Sequence, residues 1–216
     1  MELARFFEMG GWMMYPLVLL LALCLPASVG LPIAGYAIGK PKLAFLFAMI
    51  LAVLGVAAAG LGALGQAMGM RMVEQAVVHV NPVDRDTILM VGSGEARVCL
   101  AFGLVVAMLP LAAACVALGR AFGQKLSSAA TAGGLVAGLG VAIGMGALSA
   151  RQFALIQVET AMGMASPDMR PALVAAGANE AVVYLTAALV AGLPLVLVGA
   201  VLLGLGARAA KAQAAG

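Results

Sequence analysis

Glu95 and Glu180 stand at the heads of two long apolar runs, GSGEARVCLAFGLVVAMLP (92–110) and GANEAVVYLTAALVAGLP (177–194). A carboxyl held partly out of water favours its neutral form, and a group that gains and loses a proton at the edge of lipid is the basic part of a proton relay. Placing such a charge at the centre of a span costs about 3 kcal/mol on insertion scales, so acids there face protein or a water-filled cavity. Glu95 lies eight residues beyond Thr87. That is about 12 Å along a helix and an intermediate depth. From there the side chain can also reach outer water and pair with Arg97 or Arg151. The spacing leaves both roles open.

These carboxylates must be positioned by membrane helices. The 216 residues are 64% hydrophobic and 10% charged, whereas soluble domains carry about 25% charge. Five segments reach the length a helix needs to cross lipid, near 12–38, 43–66, 88–119, 131–150 and 172–206. The third and fifth are longer than required and are expected to tilt or project. Unbroken apolar runs exclude a β-barrel, whose strands alternate at period two. The expected fold is therefore all-α, a polytopic membrane protein of five transmembrane helices. The first apolar stretch resembles a signal peptide, but Glu2 and Glu8 outweigh Arg5 where a signal would be positive, and a retained span is expected. Cys24, Cys99 and Cys115 all sit in apolar runs and suit packing better than a disulfide framework. Basic residues are scattered at span ends instead of clustering among aromatics, which argues against nucleic acid as a partner. The lipid bilayer is the implied partner.

A shift of 85 residues superimposes the second and third spans on the fourth and fifth without a gap, with fifteen identities between 55 and 111. Glu74 falls on Glu159, Pro82 on Pro167, Arg85 on Arg170, Gly92 on Gly177 and Glu95 on Glu180. The chain thus divides into a leading helix and short loop (1–42), a first hairpin (43–127), and a second hairpin with a tail (128–216). Both hairpins carry the carboxylate.

Alternating the sides puts Lys40, Lys42, Arg120, Lys125, Arg208 and Lys211 on one face, without acids. Arg5, Arg71, Arg85, Arg97, Arg151, Arg170 and all nine acids fall on the other. Basic residues divide six against six, yet every lysine lies on the acid-free face, which is read as cytoplasmic. The N-terminus is then outside and the C-terminus inside. The connections 68–87 and 151–171 become outer helix extensions with turns at Asn81-Pro82 and Ser166-Pro167.

The motifs resemble the MotA/TolQ/ExbB proton-channel subunits, whose last span reads E-A-L-V-T-T-A-A-G-L-x-V-A-I-P. Here Glu95-Ala96 is followed by Val98, Gly103-Leu104, Val106-Ala107 and Pro110, and Glu180-Ala181 by Val183, Ala188-Leu189, Ala191 and Pro194. The family's L-G-T-V-x-G-M is similar to Leu139–Met145, with a weaker copy at Leu54–Ala57, and its G-G-x-x-M-Y-P-L start is similar to Gly10–Leu17. The resemblance covers all five spans. It implies a subunit of a proton-motive-force-coupled channel or stator-like complex in the bacterial cytoplasmic membrane. It further implies a homo-oligomer that works with a single-span ExbD/TolR/MotB-like partner, with Glu95 and Glu180 as proton-binding groups. The family's hydroxyls are replaced at Cys99-Leu100, Tyr184-Leu185, Val56 and Val141, which leaves Tyr184, Thr186 and Cys99 as polar path candidates. Its large cytoplasmic segment is reduced to AIGKPK. Two alternatives stand beside this: a non-conducting structural assembly subunit of the same fold, and a proteolipid-like rotor subunit of a rotary ATPase. The rotor reading rests on the G-L-V-V-A run at 103–107, but the hairpin turn would face the wrong side.

The remaining features read as structural. Gly65 with Gly69, Gly134 with Gly138 and Gly140 with Gly144 have GxxxG spacing, which suits close packing of helices within the chain. Met68-Gly69-Met70 and Met162-Gly163-Met164 offer soft sulfur ligands, but two-residue spacing puts the sulfurs on different helix faces, so no metal site is expected. His79 reads as a solvated or capping residue, Arg71 and Glu74 as a surface pair, and Trp12 and Tyr15 as interfacial anchors. Without a phosphate loop, zinc spacing or nucleophile–base pair, the chain is expected to be no enzyme and to need no cofactor.

Overall fold

The computed structural model describes residues 10–82, 84–123 and 128–215, so Glu2, Arg5, Glu8 and Lys125 lie outside the described residues. A 3-10 turn, Gly11–Met13, leads into α1 (Met14–Ile38), α2 (Pro41–Val78), α3 (Arg85–Phe122) and α4 (Ala129–Met164). A second 3-10 turn, Pro167–Met169, precedes α5 (Arg170–Ala187), which passes through a π-helical turn at Ala188–Gly192 into α6 (Leu193–Ala215). With α5 and α6 forming one crossing, five helices among the described residues are long and apolar enough to span a bilayer. The chain is an all-α, multi-pass membrane protein.

Local chemistry sets the boundaries. Gly39, at φ +71°, takes the left-handed conformation that ends α1, and Pro41 occupies the first turn of α2, where its missing N–H costs nothing. The Ser128 hydroxyl accepts from the Thr131 amide at 3.3 Å and caps α4. Asn81-Pro82 and Ser166-Pro167 mark the two turns at the opposite end. The π turn ends two residues before Pro194, whose ring removes the amide that the Val190 carbonyl would otherwise bond.

α2 and α3 are 38 residues each and α4 is 36, so these rods run about 54–57 Å where the hydrocarbon is about 30 Å thick. The helices continue well past the apolar runs. In α3 the stretch 98–119 holds 22 residues without a charge, and 129–150 of α4 holds the same number. Each is about 33 Å long and fills the hydrocarbon by itself. Glu95, Arg97, Arg151 and Glu159 therefore sit at or beyond one rim, on the projecting turns.

α3 is the central helix, with half of its most apolar window buried. Its glycines admit neighbouring backbones: a Cβ on Gly62 of α2 would lie 2.8 Å from the Cys99 carbonyl oxygen and 2.9 Å from Gly103 Cα. On the other side, a Cβ on Gly119 would lie 2.9 Å from the Ala130 carbonyl oxygen of α4. Met14 and Leu17 of α1 close the core over Val98, Cys99 and Ile156. At the other end Arg120 donates to the Gly123 carbonyl at 2.6 Å and the Gly39 carbonyl at 3.2 Å, with its guanidinium 5.9 Å from the Tyr36 ring centre. One side chain ties two turns together.

The 85-residue shift reappears in the packing. Gly92 receives Val73, and Gly177 receives Val158. Gly55 faces Leu111 and Ala107, as Gly140 faces Val196 and Gly192. Each pair maps on its counterpart under the shift, so the hairpins α2–α3 and α4–α5/α6 share one packing register.

Candidate functional site

Glu95 projects from α3 into a groove of about 230 Å³ bounded by Gly65, Met68, Gly69 and Met72 of α2 and by Gly10–Met13 before α1. The groove forms because Gly69 and Ala96 let α2 and α3 run side by side: a Cβ on Gly69 would lie 2.9 Å from the Ala96 Cβ. Glu95 is exposed and has no hydrogen-bond or ion-pair partner among the described residues. Trp12, 62% exposed, and Tyr15, 77% exposed, flank the same rim as an aromatic belt would.

Glu180 holds the equivalent position on α5 and is also exposed. Its Oε1 accepts from the Tyr184 hydroxyl at 3.4 Å, one turn further in. Among the described residues no counterpart of the Gly10–Met13 turn covers the second hairpin, so Glu180 faces outward where the groove at Glu95 is bordered by that turn.

The expected Arg97 partner is different. Arg97 donates through Nε to both carboxylate oxygens of Glu159, at 2.9 and 3.1 Å, and through Nη1 to Gln152 Oε1 at 3.4 Å. Glu159 belongs to α4, is 14% exposed, and thus clamps the first hairpin to the second. The Nε–H is shared between the two carboxylate oxygens, and this charge-assisted contact at a partly buried site favours Glu159 over Glu95, which leaves α3 on a different face. Arg71 and Glu74 are both exposed and form no ion pair among the described residues. His79 lies at the exposed C-terminal cap of α2.

The clamp was hidden from sequence because it occurs where the repeat fails. Glu159 has Glu74 as its counterpart, but Arg97 corresponds to Val182 and Gln152 to Ala67. The missing counterparts were themselves the available signal.

The polar path candidates do not converge. Cys99 is buried and its thiol donates to the Gly10 carbonyl at 3.0 Å, pinning the turn before α1 to α3. Tyr184 turns to Glu180, and the Thr186 hydroxyl donates to the Val182 carbonyl of its own helix at 2.8 Å. A buried hydroxyl that the sequence did not single out, Ser149, donates to the Ala101 carbonyl at 3.0 Å and joins α4 to α3. Gly65 and Gly69 pack on α3, Gly134 and Gly138 also pack on α3, and Gly140 and Gly144 face Gly192 and α6. Cys24, Cys99 and Cys115 are free thiols. No protein-family model, curated protein or solved structure matches the chain.

Proposed function

We propose that the chain is a subunit of a proton-motive-force-coupled, stator-like assembly in a bacterial cytoplasmic membrane, with its N-terminus outside and C-terminus inside. Glu95 and Glu180 are its proton-binding groups. The observation that carries this reading is the contrast between Glu159, paired with Arg97, and Glu95, held at the rim of the hydrocarbon with no ion-pair partner among the described residues. A carboxylate at that rim is open to the outer water, where a proton entering the membrane from that side would first meet the protein. Its repetition in the second hairpin gives each chain two such groups. The charge-free interior of α3 supplies no onward acceptor, so a single-span partner or a neighbouring copy completes the route. No bond is broken; the output is movement of the partner span.

A second reading, a non-conducting membrane scaffold, is favoured by the way hydroxyls are spent locally, Ser149 on Ala101 and Thr186 on Val182. An apolar lining of this kind tends to dewet. Proton flux in liposomes, with and without a candidate single-span protein, separates the two for wild type, Glu95→Gln, Glu180→Gln and the double variant. Flux that falls with each substitution and vanishes in the double supports the first. Flux indifferent to both removes the glutamates from the route, and no wild-type flux under either condition leaves the scaffold.

A further inference from the structure

The repeat has two unfinished ends. Within the chain, α3 and α4 join the two hairpins through Gly119 against Ala130 and Gly134, Cys115 against Gly134, Gly138 against Ala112, Ser149 on Ala101 and Glu159 on Arg97. Moving the α3 side of this seam forward by 85 residues lands on Val182, Thr186, Leu197, Ala200 and Gly204 of α5 and α6, all of them exposed. Moving the α4 side back by 85 residues lands on Phe45, Met49, Val53, Leu64 and Glu74 of α2, again all exposed. α1 does not cover them, because it seats on the Ala44 and Ala58 side of α2. The second hairpin thus presents an empty copy of the surface that grips α4, and the first presents an empty copy of the surface gripped by α3.

We propose that chains join head to tail in the membrane, α5/α6 of one copy packing on α2 of the next as α3 packs on α4 within each copy. This specifies the contact of the assembly invoked above, and it holds whether or not protons pass. The two faces fit as knob and notch. Gly204 has nothing within 4 Å of where a Cβ would lie, and Met49, 49% exposed, is the residue the shift places opposite it. Leu197, 58% exposed, meets Val53, 63% exposed. At the rim, Glu74 falls opposite Asn179, the counterpart of Gly94, whose amide can donate where Arg97 serves Glu159 in the internal seam. Bulkier side chains make this seam wider than the internal one. Because the two faces differ, the contact is heterologous and repeats from copy to copy, giving a ring where the rotation per copy closes and an open row where it does not. All copies keep one orientation in the bilayer, and each contributes two hairpins.

Differently tagged full-length chains, one carrying Met49→Cys and the other Gly204→Cys, are co-expressed and oxidised in native membranes; Glu74→Cys with Asn179→Cys tests the rim. All four positions are exposed, so the fold tolerates the changes. The expected result is a cross-linked dimer carrying both tags, lost when either substitution is omitted, so that Cys24, Cys99 and Cys115 are not its source. A chain bearing Met49→Cys and Gly204→Cys together should give a ladder of multiples. Cross-links between like positions, absence of both mixed products, or a monomeric mass for the wild type in lipid nanodiscs overturns the proposal. Because the readout is a disulfide, it stands or falls independently of the flux assay.

Discussion

The crossing of α2 and α3 at Gly62 and Gly103 allows a quantitative test. A Cβ at Gly103 would lie 2.7 Å from Gly62 Cα and 2.9 Å from the Ala58 carbonyl oxygen. Ordinary carbon contacts are about 3.5–4.0 Å, so Gly103→Ala forces the helices apart by about 1 Å. Both obstructing atoms are backbone and cannot swing away. Nor can α3 simply retreat, since Gly119 and Gly134 hold it against α4 on its far side. Overpacking of this kind costs about 1–3 kcal/mol. Against it stands the gain of about 1 kcal/mol that alanine brings to any helix interior.

Gly30→Ala isolates that gain. Gly30 is exposed on α1 and has nothing within 4 Å of its Cβ position. The propensity term is common to both variants and cancels in their difference, leaving about 1–3 kcal/mol, or roughly 5- to 150-fold in the unfolding equilibrium. Unfolding the two variants by graded denaturing detergent in mixed micelles, followed by circular dichroism, measures it directly. Equal midpoints, or a Gly103→Ala protein more stable than Gly30→Ala, would refute the contact and the helix register that creates it.

Two further outcomes follow from the seam between hairpins. In a double-mutant cycle on the same unfolding assay, Arg97→Met and Glu159→Gln should show a coupling of about 1–2 kcal/mol, as expected for a partly buried, charge-assisted hydrogen bond, whereas Arg97→Met with Glu95→Gln should be additive. Ser149→Ala should cost about 0.5–1 kcal/mol, the usual worth of a hydrogen bond between membrane helices, and a neutral result would mean that the Ala101 carbonyl does not need its donor.

The five crossings were readable because lipid imposes a simple rule: an uninterrupted apolar run of sufficient length has no other stable home. The turns at Asn81-Pro82 and Ser166-Pro167 were readable for a related reason, since each places a proline where a helix cannot continue unaided. The outer helix extensions within 68–87 and 151–171 were legible as well, although the apolar runs end before the helices do. Residues such as Arg71, Glu74 and Gln152 break the apolar pattern but not the helix, whose backbone bonds are indifferent to the solvent around them. The partners of the charges were the least accessible part. Arg97 and Glu159 are 62 residues apart and meet only because α3 and α4 cross at a fixed height. Glu95, two residues from Arg97, points elsewhere because neighbours at that spacing lie on different helix faces.

The two hairpins also record what their shared architecture can absorb. Where the first has Gly62 and Gly103, the second has Ala147 and Ala188. Those methyl groups bar the backbone-to-backbone approach that α2 and α3 make. At Ala188 the last crossing loosens into its π turn, with an apolar cavity of about 480 Å³ alongside, lined in part by Gly144, Ala188 and Gly192. The close approach moves further along, to Gly133 with Gly199 and Gly140 with Gly192. Duplication thus preserved the register of the hairpin while displacing its tightest point toward the end that carries Arg208. Glu180 is released from the tight crossing that holds Glu95 beside the first turn. The two carboxylates are equivalent by descent from one repeat but not by environment, so their single substitutions should not have equal effects on any process that uses both.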